Sequence, residues 1–360
     1  MDVDPVPVRD DVRALARYHS PRVDVAVRLN VNESPYPPPD GWREELATAL
    51  ATVEWHRYPD RTALELRTAI ADWHGVRADQ VFAANGSNEV LQTLLLTYGG
   101  PGRTAVTFEP TYQLHGHIAR VTGTTVVEGE RAADFTLDPA TARDVIASAR
   151  PAVTFLCSPN NPTGLVDPPA VVRAVLDAAP GLVVVDEAYA QFADWTALEL
   201  VADDVPLVVV RTFSKTWSMA AARLGYLVGP QWVVSALETV VLPYHLDAAK
   251  QLAGRLALGH VAEMDARVKQ IVAERERLAE GLQRLPVDSF PSGANFLLFR
   301  PSDGPAVWQG LVQRGVLVRD CSGWPRLANC LRVTVGTPEE NDRFLDALGE
   351  AVAELEEASP

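Results

Sequence analysis

Apolar residues in this chain fall into short unbroken runs that alternate with longer stretches of helical spacing. VFAA (81–84), TAVTF (104–108), AVTFLC (152–157), LVVVD (182–186) and LVVV (207–210) are each bounded by turn formers or polar residues. Runs this short and this apolar predict strands buried on both faces. The helical stretches between them predict βαβ units and a largely parallel sheet. Before the first run, residues 43–53 and 62–74 have helical patterning, with Tyr58-Pro59-Asp60 as a turn between them. After Tyr226 the pattern changes. Residues 231–285 read as long helices, then 294–299, 316–320 and 330–335 as strands, with helices near 305–314 and from about 338. Residues 1–40 are proline-rich and show little period. The pattern predicts an α/β protein: an N-terminal arm or extended segment (1–40), a large domain with a mostly parallel sheet covered by helices (41–240), and a smaller α+β domain (241–360).

Composition narrows the function. The 360 residues carry 32 Lys and Arg against 47 Asp and Glu, a net charge of −15. Such a field disfavours nucleic acid and anionic lipid, so an anionic ligand must be drawn by locally clustered arginines. No apolar run approaches the ~18 residues of a membrane span. The N-terminus lacks the basic-then-apolar order of a signal peptide, so the expected compartment is the cytoplasm. Three cysteines without close paired spacing, Cys157, Cys321 and Cys330, predict neither a disulfide framework nor a zinc site.

The candidate chemistry lies just after the strands, at Asn85-Gly86-Ser87-Asn88, Tyr112, Asn161, Asp186 and Lys215. In open α/β sheets the ligand crevice lies outside the carboxyl ends of the strands, so five segments converge there. Lys215 stands past a buried strand, before a small-residue stretch read as a helix entry leading to Arg223. Partly desolvated lysine shifts its pKa readily and is the usual Schiff-base former, which makes Lys215 the candidate holder of a cofactor aldehyde. Gly86-Ser87-Asn88 precedes a helix whose first N–H groups can bind phosphate. Alone, Ser87 reads as an ordinary N-cap and Arg223 as a surface arginine. With Ser214 they can form a phosphate site. Asp186 opposite a pyridine ring would keep the ring nitrogen protonated. Tyr189 and Asn161 can bond a ring hydroxyl, and Tyr112 can stack on the ring. His115 and His117, two apart, lie on different helix faces and do not read as a metal pair. Lys215-Thr216 lacks the glycines of a P-loop. The charge run at 270–284 reads as a solvated helix face.

NGSNE (85–89), PTY (110–112), SPNNPTG (158–164), DEAY (186–189), FSK (213–215) and RLGY (223–226) together resemble the class I/II aminotransferases of pyridoxal phosphate fold type I. LNVNESP (29–35), RYPD (57–60), PYHL (243–246), ANF (294–296), VLVRD (316–320) and CLRVTVGTPEEN (330–341) are similar to the histidinol-phosphate branch of that group. The resemblance covers nearly the whole chain. It implies pyridoxal 5'-phosphate as cofactor, with Lys215 holding its aldehyde and then shuttling the substrate proton. It implies Asp186 at the ring nitrogen, Tyr189 and Asn161 at the ring hydroxyl, and Tyr112 stacked on the ring. Phosphate would be held by Gly86, Ser87, Asn88, Ser214, Arg223 and Tyr58 of a partner subunit, in a homodimer with shared active sites. Arg332 would hold a substrate anion such as the α-carboxylate of glutamate, while Arg319, Tyr18, Asn32 and Tyr244 would line the side-chain end. The implied reaction exchanges histidinol phosphate and 2-oxoglutarate with imidazole-acetol phosphate and glutamate.

Asn88 where an acidic residue is usual, LDAAK after PYH, and the tryptophans Trp217 and Trp324 depart from the branch's pattern. These departures bear on substrate more than on chemistry. The competing readings are an aromatic amino-acid aminotransferase, a phospho-amino-acid decarboxylase on the same scaffold, and a cofactor-free interaction protein.

Overall fold

The computed structural model describes residues 6–16 and 23–358. Its strands are β1 (Val27–Leu29), β2 (Val81–Ala84), β3 (Thr104–Glu109), β4 (Thr125–Glu130), β5 (Val153–Cys157), β6 (Leu182–Asp186), β7 (Leu207–Thr212), β8 (Gly225–Val228), β9 (Asp288–Ser289), β10 (Phe296–Arg300), β11 (Val316–Asp320) and β12 (Leu331–Thr334). Seven of them form one sheet in the order β2-β8-β7-β6-β5-β3-β4. The pairs from β7 through β4 are parallel, while β8 runs antiparallel to both neighbours, β2 and β7. Alternate residues serve opposite faces, as a two-residue period requires. Val184, Val208 and Val210 pack under the helices Ser87–Tyr98 and Gln231–Val240. Val183, Val185 and Val209 pack against Pro139–Ala149 and Pro169–Ala178. Both faces are covered, which explains the unbroken apolar runs.

The second sheet has the order β1-β11-β12-β10-β9. It packs on the helices Val261–Leu282, Gly304–Gln313 and Pro338–Ala358 through Ile271, Leu278, Leu311, Phe344 and Leu348. Among the described residues, no helix is long and apolar enough to cross a membrane.

The structure departs from the sequence pattern in three places. Within 1–40, read as an arm or extended segment, Val27–Leu29 is a strand paired in parallel with β11, Val27 opposite Val316. The stretch after Lys215 contains no α-helix. A single 3-10 turn, Ala220–Ala222, leads straight into β8. The helix Ala248–Ala257, inside the 241–360 segment, packs with Asp40–Ala51 and Leu64–His74. The absence of a side chain at Gly254 permits it, because a Cβ there would lie 2.4 Å from Leu224 Cδ2 and 2.8 Å from Leu66 Cδ1.

Candidate active site

Five chain segments end at one cleft of about 200 Å³ beside the carboxyl ends of the parallel strands. β2 delivers Ser87 and Asn88, β3 delivers Tyr112, β5 delivers Asn161, β6 delivers Asp186 and β7 delivers Ser214 and Lys215. Arg223, just before β8, and Asn32, Arg319 and Arg332 complete the lining.

One end of the cleft is built for an anion. Gly86, at φ 82°, caps the helix Ser87–Tyr98 and turns its first free N–H groups toward the cleft. Ser87 is therefore the first helical residue, not the N-cap. Arg223 donates from Nη1 to Ser214 Oγ at 3.2 Å, and Thr212 Oγ1 donates to Ser214 Oγ at 3.0 Å. A Cβ on Gly86 would lie 2.9 Å from Arg223 Nη2. Gly225 is constrained more tightly: a Cβ there would meet Ser87 N at 2.2 Å, so only glycine lets β8 pass under the helix entry. Glu89 fixes the turn by accepting from Asn85 N–H at 2.6 Å and Nδ2 at 2.8 Å.

Across the cleft floor, Asp186 is buried, with Oδ1 accepting from Ala188 N–H at 3.1 Å. Its Oδ2 lies 2.9 Å from Nε2 of the fully buried His115. His115 is stacked on Phe155 at 4.9 Å and faced edge-on by Tyr112 at 5.3 Å. Tyr112 donates to Asn88 Oδ1 at 3.3 Å. His115 is the main residue that sequence reasoning passed over. It orients a carboxylate 71 positions away, a pairing that only the fold displays.

Lys215 lies at the cleft wall, donating to Val31 O at 3.1 Å, with Nζ 5.7 Å from the Tyr189 ring centre. Loss of water contact, followed by the charges of Arg332 and Arg223, pushes its pKa down to about 7, against an opposing pull from Glu33. Burial pushes the Tyr189 phenol up to about 12, partly offset by Arg332 and by the 2.9 Å hydrogen bond from Asn32 Nδ2. Asn161 Oδ1 accepts from Arg332 Nη1, and Arg332 Nη2 donates to Asn30 O at 3.0 Å. Arg319 and Arg332 are register partners on β11 and β12 and are only 8% and 5% exposed. Like charges directly opposite on a sheet are unfavourable, so this pair is the electrostatic signature of the cleft's second end.

Two expected residues lie elsewhere in this chain. Tyr58 is 80% and Tyr244 42% exposed; their rings stack on each other at 4.5 Å, and neither lines the cleft. Tyr18 falls outside the described residues. Trp324 and Asn30, not singled out for the cleft beforehand, do line it.

The family model for aminotransferase class I and II matches residues 24–348. The chain belongs to this family. It is 48% identical over 366 residues to a histidinol-phosphate aminotransferase of Frankia casuarinae, covering 97% of this chain and 91% of that protein. It is also 48% identical over 364 residues to one of Streptomyces avermitilis, covering 97% of both. Among solved structures it resembles a histidinol-phosphate aminotransferase of Sinorhizobium meliloti in complex with pyridoxal-5'-phosphate. There the TM-score is 0.87 at 21% identity, with 97% and 98% of the two chains covered. This aminotransferase thus shares the fold of a protein solved with pyridoxal-5'-phosphate bound. The donor set fits that molecule. A helix N-terminus with Ser214 and Arg223 suits its phosphate, a carboxylate fixed by two donors suits its ring nitrogen, and a low-pKa lysine suits its aldehyde.

Proposed function

We propose that the chain catalyses transamination between histidinol phosphate and 2-oxoglutarate, giving imidazole-acetol phosphate and glutamate, in histidine biosynthesis. The observation that carries this reading is the buried Arg319–Arg332 pair facing the same cleft as Lys215. Two desolvated guanidiniums side by side call for an anion between them and the cofactor. Guanidinium binds carboxylate and phosphate alike in bidentate fashion. One subsite can therefore accept glutamate in one half-reaction and a phosphate monoester that lacks a carboxylate in the other. The relatives named above, whose names carry this activity, support the reading.

The cofactor, when bound, supplies an electron sink for the charge left at the substrate's α-carbon. The chain's own residues do the rest in this reading. Lys215, with its pKa lowered to about 7 and so partly uncharged at neutral pH, accepts and returns the α-proton. Asp186, held by His115 and the Ala188 N–H, keeps a proton at the ring nitrogen. Tyr189 and Asn161 bond the ring hydroxyl, Tyr112 covers the ring face, and Ser87, Asn88, Ser214 and Arg223 hold the phosphate. Asn32 faces the substrate side chain.

We further propose a homodimer in the cytoplasm. Its support is the exposed Tyr58–Tyr244 stack, with Trp55 and Leu242 also exposed. A second copy would bury these groups and bring Tyr58 to the partner's phosphate site. Steady-state kinetics test the substrate assignment: kcat/KM for histidinol phosphate is expected to exceed that for phenylalanine by about 10⁴-fold, the discrimination of a site whose buried polar groups are left unpaired by the wrong substrate. A preference for phenylalanine would overturn it.

A further inference from the structure

The two cleft arginines are each laid on an aromatic face, by different means. Arg332 lies 5.2 Å from the centre of the Phe296 ring, on the neighbouring strand β10 and fully buried in the core. Arg319 lies 5.4 Å from the centre of Trp324, which belongs to the loop 321–330 and lines the cleft. That loop is firmly held. Cys321 N–H donates to Cys330 O at 3.0 Å and closes its base. Within it, Trp324 N–H donates to Cys321 O at 2.9 Å and Leu327 N–H to Trp324 O at 3.2 Å. Its tip is tied across to the large sheet by an ion pair from Arg326 to Glu130, the last residue of β4. The indole also rests on the apolar group of Phe135, Leu298, Cys321, Leu327 and Cys330. Trp324 is therefore a placed wall rather than a loose loop residue.

We propose that Trp324 is a specificity-determining positioning residue, which holds the Arg319 guanidinium edge-on to the cleft so that it binds the phosphate group of the substrate. The inference rests on the assignment of an anion to the arginine pair. An aromatic face stabilises a desolvated guanidinium by cation–π attraction and stacking. It also covers one face of the ion, so that a ligand meets the guanidinium at its N–H edge. Arg319 and Arg332 both line the cleft, and the direction of the Arg319 guanidinium decides how well a multiply charged phosphate oxygen set is grasped.

The test uses the holoenzyme with inorganic phosphate as the probe, titrated calorimetrically so that no turnover is involved. Trp324→Leu keeps the apolar packing but removes the π face; Trp324→Phe keeps a π face. Phosphate binding is expected to weaken about tenfold in W324L and to stay within about threefold in W324F. In an Arg319→Met background W324L is expected to add no further loss, since coupled residues are non-additive. Unchanged binding in W324L, equal losses in W324F and W324L, additivity with R319M, or no phosphate binding by the wild type would each overturn the inference. Failure of the transamination reading is seen separately, as absence of histidinol phosphate turnover by the wild type while the phosphate cycle holds.

Discussion

In its proposed role Lys215 meets the cofactor as an uncharged amine, and the structure supplies the means in the loss of water and the neighbouring cations. Capture of pyridoxal 5'-phosphate by the cofactor-free protein should rise with pH to a midpoint near 7, the value to which Lys215 is lowered, rather than near the ordinary 10.5. Stopped-flow absorbance across pH 5–10 checks this, with Lys215→Ala as the blank. The same shift has a stability sign. The unfolded lysine holds its proton up to about pH 10.5 and the folded one releases it near 7. Its cost to the cofactor-free fold is therefore complete below pH 7 and disappears as the pH climbs toward 10.5. His115 gives a second residue-scale prediction. His115→Ala should loosen cofactor binding by tenfold or more, since a hydrogen bond to a charged group contributes about 1.5–3 kcal/mol; absorbance titration measures it. Lys215 and Asp186 were legible in the sequence because one follows and the other ends an unmistakable buried strand. His115 was not, because its meaning lies in a partner on another strand's end, and its spacing from His117 pointed only to an irrelevant metal question.

At the scale of elements, the loop 158–167 that presents Asn161 is held from both ends. Arg131, fully buried, donates to both Asp167 oxygens at 2.7 and 2.8 Å, and Asp167 N–H donates to Ser158 Oγ at 3.0 Å. Inside the loop, Asn160 accepts from Thr111 Oγ1 at 3.0 Å and donates to Pro110 O at 2.9 Å. Asp167→Ala should cost about 3–5 kcal/mol in denaturant unfolding, because it strands a buried guanidinium. The apolar pair Arg131→Met with Asp167→Leu should recover most of that loss. The strands of the large sheet were readable because burial on both faces leaves an unbroken apolar run. β1 was not, since three residues are too short to show a period and its partner lies 289 positions later. β8 escaped for a related reason: the small residues Ala220–Ala222 before it have high helix propensity, but sheet pairing on both sides of β8 decides its state.

For the whole molecule, the cleft is assembled from both sheets: the cofactor end comes from the large one and the two arginines from the small one. The Arg326–Glu130 ion pair joins the two at the cleft's edge. If Tyr58 serves a partner's site, mixing Lys215→Ala with a Tyr58→Ala variant impaired in cofactor retention should restore activity, because random heterodimers carry one intact site, about a quarter of all sites. Mixing that restores nothing would argue against shared sites. Substrate choice was the least legible part of the sequence. In the proposed reading it depends on Arg319, Arg332 and Trp324, which become neighbours only when β11 and β12 pair. The central claim is that one arginine-lined cleft serves both a phosphate monoester and glutamate. The most direct measurement is the single-turnover absorbance change of the cofactor-loaded enzyme with each amino donor alone. Histidinol phosphate and glutamate should each convert the cofactor, with phenylalanine far slower; rapid conversion by phenylalanine with none by histidinol phosphate would contradict the account.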